Sequence, residues 1–284
     1  MGANAVLLLS CPDQPGVVAA VAELVFRHGG NIVDTEQHTD REDGVFFQRV
    51  EWELDGFALA REEILPACAP LLARFDAQAD VSFTDVRPRV AILASRQPHC
   101  LHDLLTRWRT DELPIDVPVV VSNHEDHRAI AEFSGTEYVH LPVTPATKPA
   151  QEERLVEVLQ ERNVELVVLA RYMQILGPRV VGAFPNRIIN IHHSFLPAFA
   201  GARPYHQAHE RGVKVIGVTA HYVTEALDEG PIVDQDVVRV SHRDDVAGLV
   251  RKGRDLETIV LARAVRAHIE HRVLVHGHRT VVFG

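Results

Sequence analysis

The chain has 284 residues, 46% of them hydrophobic and 24% charged, enough apolar material for one large domain or two smaller ones. A formal net charge of -10 without any polybasic run argues against nucleic acid as a partner, since phosphate binding wants a basic surface. Cys11, Cys68 and Cys100 are too few and too unevenly spaced for a disulfide framework or a zinc site, no apolar run approaches the roughly 18 residues that span a bilayer, and no secretory signal is read at MGANAVLLLS, so a cytoplasmic protein with reduced thiols is expected.

Taken in chain order, Ala5 to Ser10 is an apolar strand and Pro12 to Gly16 a turn cluster. Val17, Val18, Val21, Leu24 and Val25 follow helical spacing up to a stop at Gly29-Gly30. Asn31 to His38 reads as a second strand, Arg41 to Gly44 as a polar turn and Val45 to Leu54 as a third strand. Phe57 to Phe75 reads as a helix in spite of Pro66 and Pro70, and Gln78 to Thr84 as a fourth strand. This β-α-β-β-α-β order is the ferredoxin-like α+β arrangement. Asp13-Gln14-Pro15-Gly16, a helix, then Gly29-Gly30-Asn31-Ile32 together resemble the opening of an ACT domain. The resemblance implies pairing of copies through the sheet, hence a homo-oligomer. It also implies a small amino-acid effector, such as glycine or methionine, near Asp13, Gln14, Gly16 and Asn31. In any chain Asp13 and Gly16 would also serve as a helix cap and a turn glycine.

Asp85 to Pro88 is a polar linker, which divides the chain into 1–84 and 85–284. Beyond it strands alternate with helices. The strands are Arg89 to Ala94, Val117 to Ser122, Tyr138 to Leu141, Val164 to Ala170 and Arg187 to Ile191. The helices are His99 to Arg109, Glu125 to Phe133 and Gln151 to Arg162. The alternation predicts an α/β domain with a mostly parallel sheet and helices on both faces, with ligands bound beyond the carboxyl ends of the strands. Val213 to Val223 and Ile232 to Val240 read as two more strands, Asp244 to His271 as a long helix and Val273 to Phe283 as a terminal hairpin.

With 17 histidines in the chain, only a constellation can promote one of them. Asn190-Ile191-His192 ends a strand, so Asn190 and His192 project to one side at the end where a parallel sheet puts its site. Asn brings a neutral amide donor and His a titratable acid or base. Alone the pair reads more readily as a polar strand end. A second segment, His221 to Ile232, leaves a strand, crosses an acidic loop and re-enters a strand at Gly230-Pro231, with Asp228 at the loop's end.

The two segments together resemble the folate-dependent formyltransferase family, whose site is an Asn-x-His pair plus an Asp from a loop ending in Leu-Asp-x-Gly-Pro. The resemblance covers roughly residues 89 to 270 and implies Asn190, His192 and Asp228 as catalytic residues. Within the family the details are similar to the deformylase branch. His193 and Phe195 replace a usual Pro and Leu, and an ACT-like unit is fused in front. The loop Ser95 to Leu101 contains no glycine where ribonucleotide formyltransferases carry a glycine-rich phosphate cradle. Water then becomes the acceptor. The resemblance implies hydrolysis of 10-formyltetrahydrofolate to tetrahydrofolate and formate, balancing the one-carbon folate pool and supplying formate for purine synthesis. The folate is the substrate, and no cofactor or metal is implied.

The resemblance also places Tyr172, Met173, Gln174, Ile175 and Leu176 around the pterin, closed by Val223, Glu225 and Leu227. A flat heteroaromatic ring wants apolar walls and a few fixed hydrogen bonds, although plain core packing explains each of these side chains singly. His124 and His127 lack a third metal ligand, and Cys100 at a helix start is assigned no covalent role. Two alternatives stay open. One is transfer of the formyl group to glycinamide ribonucleotide or aminoacyl-tRNA on the same fold. The other is a catalytically silent amino-acid or folate sensor.

Overall fold

The computed structural model describes residues 2–197 and 204–284. The chain divides into two compact units. One comprises the residues up to Val86 with Glu270–His276 and Val281–Gly284, and the other comprises Arg87–Ile269 with Gly277–Thr280.

The first unit runs β1 (Asn4–Pro12), α1 (Val17–Arg27), β2 (Ile32–Asp40), β3 (Val45–Glu53), α2 (Arg61–Phe75) and β4 (Gln78–Phe83). Its antiparallel sheet has the order β2-β3-β1-β4. Ala5, Leu7, Leu9 and Cys11, alternate residues of β1, meet Val17, Val21 and Val25 of α1 and Ile64, Cys68, Leu71 and Phe75 of α2 in one core. A period of two on the strand thus faces a period near 3.6 on the helices. Helix α2 starts at Arg61 rather than Phe57, because Gly56 turns the chain at φ 77° and the Glu63 carboxylate accepts from the Ala60 N–H. Pro66 and Pro70 are tolerated on its exposed face, where each removes one helical N–H donor.

The second unit runs β5 (Arg89–Ala94), α3 (His99–Arg109), β6 (Asp116–Ser122), α4 (Arg128–Ser134), β7 (Glu137–His140), α5 (Lys148–Glu161), β8 (Leu166–Ala170) and α6 (Pro178–Ala183). It continues with β9 (Ile188–His192), α7 (Pro204–Glu210), β10 (Val215–Tyr222), β11 (Ile232–Arg239) and α8 (Val246–Ile269). Sheet order is β11-β10-β9-β8-β5-β6-β7, parallel from β7 to β9, with β10 and β11 antiparallel at the edge. Ala91, Leu93, Val167 and Leu169 pack with Leu155 and Val158 of α5 and Val180 of α6, while the alternate residues Val90, Ile92 and Val168 are equally buried. Both sheet faces are therefore covered, as the continuous apolar strands require. Strand order reverses between β5 and β8, and a crevice opens at such a switch point. Helices α6 and α7, of six and seven residues, have no counterpart in the sequence reading.

The last strands are β12 (Val273–His276) and β13 (Arg279–Val282), joined through Gly277 at φ 58°. Phe283, Leu274 and Val281 pack on Leu8 and Phe47 of the first unit. The polar linker Asp85 to Pro88 assigns everything after residue 84 to the second domain, whereas most of this terminal segment belongs with the first unit. Pattern alone carries no sign of which sheet a returning strand will cover.

Candidate active site

Asn190 and His192 sit two residues apart on β9, at the carboxyl end of the parallel sheet. Neighbouring β10 runs antiparallel and sets His221 opposite Asn190 and Thr219 opposite His192. A register shift between Ala220 and His221 in the β10–β11 pairing re-aims the His221 end of the strand. Asp228 lies in the loop between β10 and β11 at φ 57°, a left-handed conformation that Asp adopts more readily than most residues. Two residues on, a Cβ at Gly230 would stand 1.7 Å from the Tyr222 carbonyl oxygen, so only glycine lets the loop fold back this closely.

These elements bring the three predicted catalytic residues together. Nδ1 of His192 lies 3.3 Å from Oδ1 of Asp228, and Nε2 of His221 lies 3.8 Å from the same oxygen. The Asn190 amide donates to Nε2 of His221 at 3.2 Å, and Nδ1 of His221 donates to the Tyr222 carbonyl at 2.9 Å. Those two bonds fix one neutral tautomer, and burial lowers the His221 pKa in the same sense. The adjacent His192 imidazole holds the Asp228 carboxyl below the ordinary carboxylate range against the opposing effect of burial. Nε2 of His192 is buried and makes no hydrogen bond among the described residues. Such a nitrogen can bond a reacting group.

The cleft beside this trio is lined by all eight residues expected around a pterin. Tyr172 and Leu176 are also core residues, packed with Val180 and Ile188, and the Tyr172 hydroxyl accepts from Gln151. Met173 and Ile175 alternate with them and stay 57% and 60% exposed, as does Leu227 across the cleft at 60%. The packing and ligand readings therefore divide the segment by period two. Its path is held from below. The Met173 N–H donates to Oγ of Ser95, which donates in turn to Asn123, both at the ends of adjacent strands.

Several contributors escaped the sequence reading. The role of His221 requires the β9–β10 register, and Ser95 requires the adjacency of β5 and β8. Glu257, only 1% exposed on α8, accepts from the Tyr205 hydroxyl at 3.0 Å and meets His99 Nε2 at 2.7 Å and Arg171 Nε at 3.4 Å. A carboxylate three residues before Val260 on the apolar stripe of a helix was a legible signal of this cluster. Gly253, one turn earlier, explains the approach of Tyr205, since a Cβ there would stand 1.9 Å from the Tyr205 hydroxyl.

Among the described residues, His99, Cys100 and Glu257 are the group with metal-ligand spacing, their ligand atoms lying within 4.8 Å of one another. A cation there would compete with Arg171 and with a Cys100 thiol that burial keeps protonated, its pKa raised well above the usual value. The same burial leaves Cys100 unsuited to act as a nucleophile. In the first unit, Gly16 is the N-cap of α1 at φ 95°, and Asp13 is exposed with its N–H bonded to Gly44. Gln14 donates to the Phe75 carbonyl and Asn31 to the Glu53 carboxylate.

The profile of the formyl transferase family matches residues 88–265, and that of the ACT domain residues 5–65. A formyltetrahydrofolate deformylase of Synechocystis is 56% identical over 99% of this chain and 98% of its own. The crystal structure of a formyltetrahydrofolate deformylase from Pseudomonas syringae superposes with a TM-score of 0.98 at 46% identity, over 100% of this chain and 95% of that one. A glycinamide ribonucleotide transformylase from Symbiobacterium toebii superposes with a TM-score of 0.67 at 36% identity, over 72% of this chain and 98% of that one.

Proposed function

We infer the activity from one premise, that the chain belongs to the formyltetrahydrofolate deformylase family: it hydrolyses 10-formyltetrahydrofolate to tetrahydrofolate and formate. The observation that carries this reading at the level of residues is the meeting of Asn190, His192 and Asp228 at one end of a cleft with exposed apolar walls. The pterin lies between Met173 and Ile175 on one side and Leu227 on the other. Glu225, on the same loop, faces it from the cleft's rim. Water, its proton drawn toward the ionised Asp228, attacks the formyl carbon. The carbonyl oxygen takes up negative charge, which the Asn190 amide and Nε2 of His192 receive as hydrogen-bond donors. The C–N10 bond then breaks, and the proton taken from water passes through Asp228 and His192 to N10. Carboxylate and imidazole act as one unit, so their losses do not add. The reaction needs no cofactor, because the folate is itself the substrate.

The test is formate release from 10-formyltetrahydrofolate with no acceptor added, in wild type and in Asp228→Asn. Formate production abolished by the substitution, with the fold kept, is the expected result. Formyl transfer that starts only once glycinamide ribonucleotide or aminoacyl-tRNA is supplied would overturn it.

The same reading gives the ACT unit an amino-acid effector, glycine or methionine, at the loop and helix start around Asp13, Gln14, Gly16 and Asn31, and a role in forming a homo-oligomer. Light scattering at micromolar concentration tests the oligomer, and a monomer would count against it. Cys11, Cys68 and Cys100 are all free and buried. That state suits a reducing compartment, and the proposed location is the cytoplasm. No helix among the described residues is long and apolar enough to cross a membrane.

A further inference from the structure

The hydrolysis derived above leaves a group of buried charges unused. Arg171 is the first residue after β8 and lines the cleft, at the switch point between β5 and β8. Its side chain is 13% exposed, and Nε, which makes no hydrogen bond among the described residues, lies 3.4 Å from Glu257. Glu257 is fixed from two other sides, by His99 at the start of α3 and by the Tyr205 hydroxyl. The cluster adjoins the catalytic residues, since the His193 ring stands 5.3 Å from the His192 ring and 5.9 Å from the Tyr205 ring. A transferase of this fold must admit an amine to the formyl carbon. The S. toebii relative is named for a ribonucleotide acceptor.

We propose that Arg171, held by Glu257, walls off the amine-acceptor side of the cleft and so confines formyl transfer to water. The guanidinium takes the place that the N–H groups of a neutral amine would occupy beside the buried carboxylate. With it removed, Glu257, still held by His99 and Tyr205, would draw a primary amine toward the formyl carbon. The amine nitrogen would bond to that carbon, the C–N10 bond would break and one amine proton would move to N10. The products would be an N-formyl amine and tetrahydrofolate, in place of formate and tetrahydrofolate. This makes Arg171 a specificity residue, and the proposal rests on the deformylase reading.

Backbone geometry supplies a gentle variant. Arg171 has φ 63°, a left-handed conformation that glycine adopts without strain, so Arg171→Gly should fold. The experiment supplies 10-formyltetrahydrofolate with rising glycinamide and follows tetrahydrofolate, formate and N-formylglycinamide. Wild type should release formate and tetrahydrofolate in equal amounts at every glycinamide concentration. Arg171→Gly should release less formate than tetrahydrofolate, with N-formylglycinamide making up the difference at tenfold or more the wild-type yield. Glu257→Gln, which frees Arg171 without changing the shape of its partner, should move the same way by a smaller factor. Equal formate and tetrahydrofolate in an active Arg171→Gly enzyme would overturn the proposal, as would formylation of glycinamide by wild type at a yield comparable to the variant's. A second readout does not depend on turnover. Millimolar guanidinium chloride, compared with sodium chloride, should raise the melting temperature of Arg171→Gly and leave wild type unmoved, and equal responses would count against the wall. Wild type that releases no formate at all would sink the deformylase reading, while the guanidinium response would still judge the Arg171 site.

Discussion

Asn190 and His221 face each other across β9 and β10, and the Asn190 amide donates to Nε2 of His221 at 3.2 Å. In the proposed reaction His221, whose side chain is 2% exposed, therefore aims the amide that meets the carbonyl oxygen. Losing an oxyanion donor outright costs about 10²–10³ in rate, and mis-aiming one should cost less. His221→Ala is expected to lower kcat about 10- to 100-fold with little change in KM. His221→Gln, whose carbonyl can accept the same bond, should recover much of that loss. Because the two residues act in series, Asn190→Ala with His221→Ala should be no slower than Asn190→Ala alone. A multiplicative double mutant, measured by formate release, would show that His221 has an independent role.

Asp228 depends on Gly230 for its place. A methyl at residue 230 would meet the Tyr222 carbonyl oxygen, a backbone atom that cannot yield. Gly230→Ala must therefore shift the loop and carry the carboxylate away from His192. We expect kcat to fall about 10²-fold, which a displacement near 1 Å can cause. The acid side of the pH profile checks the same residue in the wild type. The Asp228 carboxyl is held below its ordinary value, so its protonation should cost no activity between pH 7 and pH 5. An acid limb within that window in wild-type single-turnover rates would contradict this.

Much of this was legible in the sequence because the strands of the second unit are continuous apolar runs and the site motifs lie at their ends. Asn190 and His192 share a side by the strand period alone. Asp228 joins them through a loop whose closing Gly-Pro pair is itself a signal. What could not be read depends on which strands become neighbours. Ser95 supports Met173, 78 residues along the chain, only because β5 pairs with β8, and Tyr205 reaches Glu257 only because Gly253 clears its path. The terminal hairpin itself was legible, but its place with the first unit was not, since Phe283 has the same apolar pattern whichever sheet it covers.

Ser95 gives a test of the cleft wall apart from the chemistry. It is 3% exposed, accepts from the Met173 N–H at 2.9 Å and donates to Asn123 at 2.7 Å. Ser95→Ala leaves both groups without a partner, at a cost of about 1–3 kcal/mol for each buried one. The segment Met173 to Ile175 should loosen, so KM for the folate should rise several-fold while kcat changes little. A fall in kcat at constant KM would place Ser95 in the chemistry rather than under the wall.

His193 should give the fold a pH dependence that can be isolated. Burial lowers its pKa from 6.5 to about 4, with the Arg171 charge acting in the same direction. In the unfolded chain the imidazole returns to its ordinary value. Between those two values the unfolded state binds a proton that the folded state refuses, so stability rises with pH across the window. The contribution is complete above about pH 6.5 and is lost as the pH falls toward 4. A shift of this size corresponds to about 3 kcal/mol, at roughly 1.4 kcal/mol per unit. His193→Asn keeps a polar side chain of similar reach that does not titrate. Urea unfolding of both proteins at pH 7 and pH 4.5 should show wild type losing more stability than the variant, by about 2–3 kcal/mol. Parallel losses would mean that His193 takes up its proton in the folded protein as readily as in the unfolded one. The neutral imidazole placed here between Arg171 and His192 would then have to be abandoned.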